Sequence, residues 1–205
     1  MKHAKKLVSM LLALVMVLGM TTTAFADHEM EGPVDHGGVT NSNGVIAIND
    51  AIPRETYNLY QILYLESYSV TKDQDGNVTE EHYAYKANSS WSDFISSADI
   101  KGTYVDVDDS GYVTWVQNAS AADFAKKALG YAQNNGIDPV KTAEAPAATA
   151  PATTSTVEFT GLKLGYYLVD TSLGALCSLD TTNPTVTMQE KNEVPKNYKQ
   201  VKEDS

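Results

Sequence analysis

Along the chain, apolar residues come first as one almost unbroken block and then as short alternating runs. The block spans Leu7–Met20, behind a basic start of Lys2, Lys5 and Lys6 and ahead of Ala24-Phe25-Ala26. A basic start, an apolar middle and a small-x-small site are the signature of a secretory signal peptide, here residues 1–26 with cleavage after Ala26. The block is shorter than the about 20 residues that a membrane span needs. Residues 27–43 are polar and Gly-rich, without an apolar period, and are expected to form a flexible leader.

From Gly44 the period becomes two. Ile46 and Ile48 alternate with Val45, Ala47 and Asn49, and Ala51–Glu55 marks a turn. Tyr57–Val70, dense in Tyr, Leu and Ile, predicts a long central strand. Asp75-Gly76 is a hairpin signal, and Tyr83 and Tyr85 lie in the return strand. Two helices interrupt this pattern. Ser90 with Asp93 reads as a capping box around Trp91, Phe94 and Ile95. Ser120 with Asp123 reads as another, ahead of Phe124, Ala128, Leu129 and Tyr131, and Asn134-Asn135-Gly136 is the stop. Between the helices, Tyr104–Val107 and Tyr112–Val116 flank Asp109-Ser110-Gly111 as a hairpin. The Ala/Pro/Thr-rich stretch 141–156 is expected to be a surface loop rather than a packed element. Strand signals resume at Thr156–Thr160, Tyr166–Asp170, Ala175–Leu179 and Pro184–Gln189. The sum is a mainly β chain, expected as an immunoglobulin-like β-sandwich with two short helices inserted.

Charge narrows the partners. The 205 residues carry a formal net charge of −11, and loss of the signal lysines makes the mature chain more acidic still. Without clustered Lys and Arg it is no partner for nucleic acid. Cys177 is the only cysteine, so no intrachain disulfide forms. Its neighbours Ala175, Leu176 and Leu179 predict a small buried apolar residue rather than a nucleophile. The excess of 12 Tyr over 4 Phe suits strands with water on one face, and as an alternative could line a carbohydrate-binding surface.

Candidate chemistry is sparse. His28 and His36 in the leader, and His82 in the first hairpin, have no second ligand at metal spacing. Asp106, Asp108 and Asp109 with Gly111 fall short of a calcium loop, since no Glu closes it. There is no nucleophile elbow, phosphate loop or dinucleotide fingerprint. The residues therefore predict no enzyme active site, no cofactor and no metal.

The run FTGLKLGYYLVDTSLG, Phe159–Gly174, resembles the G-L-x-x-G-x-Y segment of collagen-adhesin B-type domains, and more narrowly the N-terminal domain of sortase-assembled major pilins of Gram-positive bacteria. INDAIPRETYNLYQILYLESYS, YAYKANSSW, SGYVTWV, ADFAKKALGYA and LCSLDTTNPTVTMQEKNEVP fit the same class in the same order. The resemblance implies a domain over 44–194 and a subunit of a cell-surface pilus on the cell wall. Its partners would be other pilin subunits and a class C sortase. The alternative is an adhesin domain that holds host glycan or matrix protein.

In that family a lysine after the last strand of the N-terminal domain, in a V-x-V-Y-P-K-N context, takes an intermolecular isopeptide bond. The comparable stretch here is Val186–Asn192, which makes Lys191 the first candidate. Strand alternation puts Val186 and Met188 inward, and Thr187, Gln189 and Lys191 outward. Gln189-Glu190 stand where the family has Tyr-Pro. Val194-Pro195-Lys196-Asn197 echoes the same motif and makes Lys196 the second candidate. Lys199 resembles the lysine that forms an internal isopeptide bond in a following domain. GVIAIND contains no lysine, so no internal bond is expected in the domain at hand. Since the sequence to Ser205 carries no LPxTG-like signal, 195–205 is expected to be a linker and the start of a further domain of a longer pilin.

Overall fold

The computed structural model describes residues 43–171, 174–180 and 184–190. The signal peptide, its cleavage point at Ala26 and nearly all of the leader lie outside the described residues.

The first strand, β1 (Gly44–Ala51), buries Ile46, Ile48 and Ala51. After the turn, β2 (Thr56–Lys72) runs for 17 residues, the long strand expected over Tyr57–Val70. β3 (Val78–Ala87) returns antiparallel to it, in register from Lys72↔Val78 to Leu63↔Ala87. The hairpin turn is held by Asp73, whose Oδ1 accepts from the backbone N–H groups of Asp75 and Asn77, both at 2.9 Å. These bonds lower the carboxyl pKa of Asp73, the Asn77 backbone N–H most of all.

A 3-10 turn (Ser89–Trp91) then leads into α1 (Ser92–Ser96). The Ser90/Asp93 capping box does not form. Helix α1 starts without a side-chain cap because the preceding turn swings Trp91 into the core, 1 % exposed. Asn88 holds the turn instead, its Nδ2 donating to the Gln61 carbonyl at 2.7 Å. The hairpin of β4 (Val105–Val107) and β5 (Tyr112–Trp115) follows, and β5 pairs with β3.

Helix α2 (Ala121–Asn135) begins as expected: the Ser120 hydroxyl accepts from the Asp123 N–H at 3.2 Å. It ends at Gly136 in the left-handed conformation. Phe124, Ala125, Ala128 and Ala132 form its buried face.

The Ala/Pro/Thr-rich stretch departs from expectation at both ends. Lys141–Glu144 is a strand, β6, paired with β2 at Thr56–Leu59. Ala145 is buried, tied to the turn after β1 by Arg54 N–H to its carbonyl and its own N–H to Glu55 O, both 2.8 Å. Composition misled here because alanine and threonine are as acceptable in a short edge strand as in a loop. Only 145–154 lies outside regular structure.

The chain closes with β7 (Ser155–Leu162), β8 (Gly165–Val169), β9 (Ala175–Leu179) and β10 (Thr185–Gln189). Among the described residues these strands form two sheets. One has the order β10-β1-β7; the other runs β4-β5-β3-β2-β8-β9, with β6 also on β2. The molecule is mainly β with two helices, and both sheets supply one core.

Aromatic contacts join helices to sheet. Trp91 meets Phe94 at 5.7 Å, Phe94 meets Phe124 at 5.4 Å, Phe124 meets Trp115 at 4.8 Å, and Trp115 meets Tyr166 at 5.6 Å. The first three are edge-on, a geometry that adds about 0.5–1.5 kcal/mol per pair beyond burial.

The tyrosines divide between core and surface, and Tyr64, Tyr83, Tyr104, Tyr112 and Tyr131 are partly exposed. Tyr57, Tyr60, Tyr68, Tyr85, Tyr166 and Tyr167 are buried. Burial raises the hydroxyl pKa of Tyr85, and pushes that of Tyr166 up to about 12. The Tyr167 hydroxyl donates to the Lys163 carbonyl at 2.6 Å, so its polar tip is satisfied inside the core.

Gly165, where β8 begins, sits at a φ of 149°, and a Cβ there would overlap the Leu63 carbonyl oxygen of β2. Gly165→Ala is expected to destabilise the fold by at least about 1–3 kcal/mol, the range for overpacking a tight site. The measurement is the urea unfolding midpoint; an unchanged midpoint would contradict the close β2–β8 approach.

Candidate functional site

The last described strand and its neighbours are where the sequence points. β10 runs parallel to β1, in register from Val45↔Thr185 to Asn49↔Gln189. Val45 N–H donates to the Pro184 carbonyl at 2.8 Å. Val186 and Met188 are half-buried and pack against the core, whereas Thr187 and Gln189 are exposed, which is the alternation expected from the sequence.

The pattern continues one residue past the strand. Glu190 is 7 % exposed, the one buried charged residue among those described. Its N–H donates to the Asn49 carbonyl at 2.9 Å, adding a rung to the β1–β10 ladder. The Tyr57 hydroxyl, which accepts from the Ile52 N–H at 3.0 Å, lies close enough to the Glu190 carboxylate to feel its charge. Burial, followed by the neighbouring Glu190 carboxylate, raises the Tyr57 pKa, against the lowering effect of the Ile52 N–H.

Lys191, Lys196 and Lys199 lie outside the described residues. The described lysines, among them Lys101, Lys126, Lys127, Lys141 and Lys163, are at the surface, and none is buried.

Two further features were not signalled by any motif. Asp170, at the end of β8, accepts from Asn58 N–H and Asn58 Nδ2, both at 2.6 Å. The Asp170 N–H returns a bond to the Asn58 carbonyl at 3.1 Å. Burial raises the Asp170 pKa despite these donors. The only textual hint was a polar Asn inside the apolar run of β2.

The second feature is a groove of about 620 Å3 between α2, β9 and β10, lined by Ala121, Ala125, Leu176, Cys177, Val186 and Met188 among others. Its apolar wall explains Cys177. The residue as a whole is only half-buried, but the thiol faces apolar surroundings, which push its pKa up to about 12. The sulfur is the atom that ionises, so its own apolar surroundings govern the shift.

The remaining polar clusters are structural. Asp108 Oδ1 accepts from the N–H groups of Ser110 and Tyr112, both at 2.9 Å, so this carboxylate builds a turn. His82 lies 3.5 Å from Glu80 on the exposed end of the first hairpin. Among the described residues no three His, Cys, Asp or Glu side chains gather as a metal site, and no helix is long and apolar enough to cross a membrane.

No protein-family model matches the chain, and no curated protein matches it either.

Because only the thiolate alkylates, Cys177 in the folded protein should react with iodoacetamide more than about a hundredfold slower than free cysteine near neutral pH. Urea should restore the ordinary rate. Fast labelling of the native protein, followed by mass spectrometry, would contradict the apolar setting of the thiol.

Proposed function

We propose that this chain is a structural subunit of a cell-surface pilus, with an immunoglobulin-like β-sandwich as its folding unit and a lysine just after the last strand as its point of covalent linkage. The observation that carries the reading is the firm seating of β10. Its ladder with β1 extends through Glu190, the residue that immediately precedes Lys191 in the sequence. A nucleophile presented from a rigid edge loses less freedom when it meets an enzyme-bound acyl group.

The chemistry would be acyl transfer. The sortase holds the donor pilin as a thioester on its cysteine. The lysine Nζ, after giving up a proton, attacks the thioester carbonyl; the enzyme thiolate leaves and an amide remains. An ordinary lysine amine, with a pKa near about 10.4, is mostly protonated at neutral pH, so the enzyme must remove that proton. Nothing in this step asks the pilin for a catalytic residue of its own.

The immunoglobulin-like reading is supported by two sheets around one core and by the first strand lying beside the last. The glycan-adhesin reading has less support. Six tyrosines are buried in the core, which leaves fewer of them for a glycan-binding surface.

Incubation of the mature chain with a class C sortase and an LPxTG donor peptide should give a single amide adduct. Peptide mapping should place it on Lys191 or Lys196, and Lys→Ala at that position should abolish it. An active enzyme that leaves every lysine unmodified would remove the polymerisation reading. Saturable binding of the monomer on a glycan or collagen array would then favour the adhesin.

A further inference from the structure

Five aromatic side chains form a line that the proposed function leaves unused. Trp115 of β5 lies 5.6 Å from Tyr166 of β8, ring centre to ring centre, and Tyr166 lies 4.9 Å from Tyr85 of β3. Tyr85 is 6.4 Å from Tyr83, and Tyr83 is 4.8 Å from Tyr68 of β2. The sheet builds this line. Tyr83 and Tyr85, two residues apart, share one face of β3, and Tyr68 stands opposite Tyr83 in register. Tyr85 and Tyr166 meet across β2, from the two strands that flank it.

Tryptophan and tyrosine are the aromatic side chains that give up an electron most readily, and rings this close pass one between them. The two ends of the line differ in where a proton can go. A tyrosine that loses an electron becomes strongly acidic and must shed its phenolic proton. Tyr166 and Tyr85 are buried, and burial holds their hydroxyls protonated. An electron vacancy resting there would place charge in apolar surroundings. At the far end, the Tyr68 hydroxyl donates to Glu81 Oε1 at 2.8 Å, and the Tyr83 hydroxyl donates to Glu81 Oε2 at 3.3 Å. The carboxylate is within reach of the proton that must leave, and the shorter bond favours Tyr68 as its source.

We propose that Trp115, Tyr166, Tyr85, Tyr83 and Tyr68 form an electron relay, which moves an oxidising vacancy out of the core to Tyr68 and Tyr83 with Glu81 as the proton acceptor. The relay goes beyond the pilus reading and does not depend on it. The co-reactant is a one-electron oxidising radical, to which Trp115 keeps 6 % of its surface open. The radical takes an electron from Trp115 and becomes its anion. An electron from Tyr68 or Tyr83 travels through Tyr85 and Tyr166 to refill Trp115, while the phenolic proton passes to Glu81. Trp115 ends unchanged, one tyrosine is left as a neutral phenoxyl radical, and Glu81 is left as the neutral acid. Oxidative modification is thereby directed to the half-buried Tyr83 rather than to the indole packed against Phe124.

Pulse radiolysis of the mature chain in azide solution tests this, because the azidyl radical oxidises indole side chains in preference to others. In the wild type the tryptophanyl absorption should decay as a tyrosyl absorption grows, at a rate independent of protein concentration. A nitroso spin trap followed by peptide mapping should place the radical on Tyr83 or Tyr68. Y85F keeps the ring but is far harder to oxidise, so it should lose most of that adduct and gain oxidised Trp115. E81Q removes the proton acceptor from the β2–β3 hairpin; it should slow the growth of the tyrosyl signal, and it serves if Y85F fails to fold. Trp91 is the internal reference. Its neighbours Tyr60 and Tyr131, at 6.1 Å and 5.8 Å, lie off the line, so adducts there should be the same in both variants. Unchanged trapping at Tyr83 and Tyr68 in folded Y85F, or tyrosyl growth indifferent to E81Q, would overturn the relay. So would a wild-type radical that stays on Trp115 or settles on Tyr104.

Discussion

The structure depends on β2 being paired along both edges. From Leu63 to Lys72 it carries β3; where β3 ends, β6 takes over at Thr56–Leu59, and β8 holds the opposite edge from Leu59 to Tyr64. A strand buried this way must satisfy all its backbone groups through neighbours and direct its side chains into the core. Leu59, Tyr60, Ile62, Leu63 and Leu65 do so. Register shifts at Gln61/Leu63 and Leu65/Ser67 bend the strand, which lets one long element serve partners at both ends.

Polar clamps fix what apolar packing leaves free to slide. Asn58 and Asp170 exchange three hydrogen bonds where β2 meets the end of β8. Tyr57, one residue earlier, turns the other way, toward the charge of Glu190 at the end of β10. Adjacent residues of β2 thus face the ends of β8 and β10, as expected of side chains that alternate across a strand.

Much of this was legible in the sequence because it is local. The β2–β3 hairpin follows from Asp75-Gly76, and the α2 boundaries follow from Ser120 and Gly136. The alternation in β10 follows from Val186 and Met188. What was not legible is non-local. Asn58 and Asp170 lie 112 residues apart, and no pattern within either segment names the other. The approach of Tyr57 to Glu190 is hidden in the same way. Trp91 shows the converse: a local capping signal at Ser90 and Asp93 loses to the burial of a large ring. The stretch 141–156 shows composition losing to an available strand edge on β2. The linking lysine was proposed from resemblance, and the described residues reach only to the position before it.

The side-by-side placement of β1 and β10 also governs how the fold meets tension. The two strands run in the same direction, so traction on the amino end of β1 and on the carboxyl end of β10 pulls them past each other lengthwise. The evenly spaced, slanted bonds of a parallel ladder then share the load together rather than opening one by one like a zip. Glu190 adds its backbone bond at the loaded end. In a chain whose single cysteine allows no intrachain disulfide, that geometry offers mechanical endurance from hydrogen bonds alone.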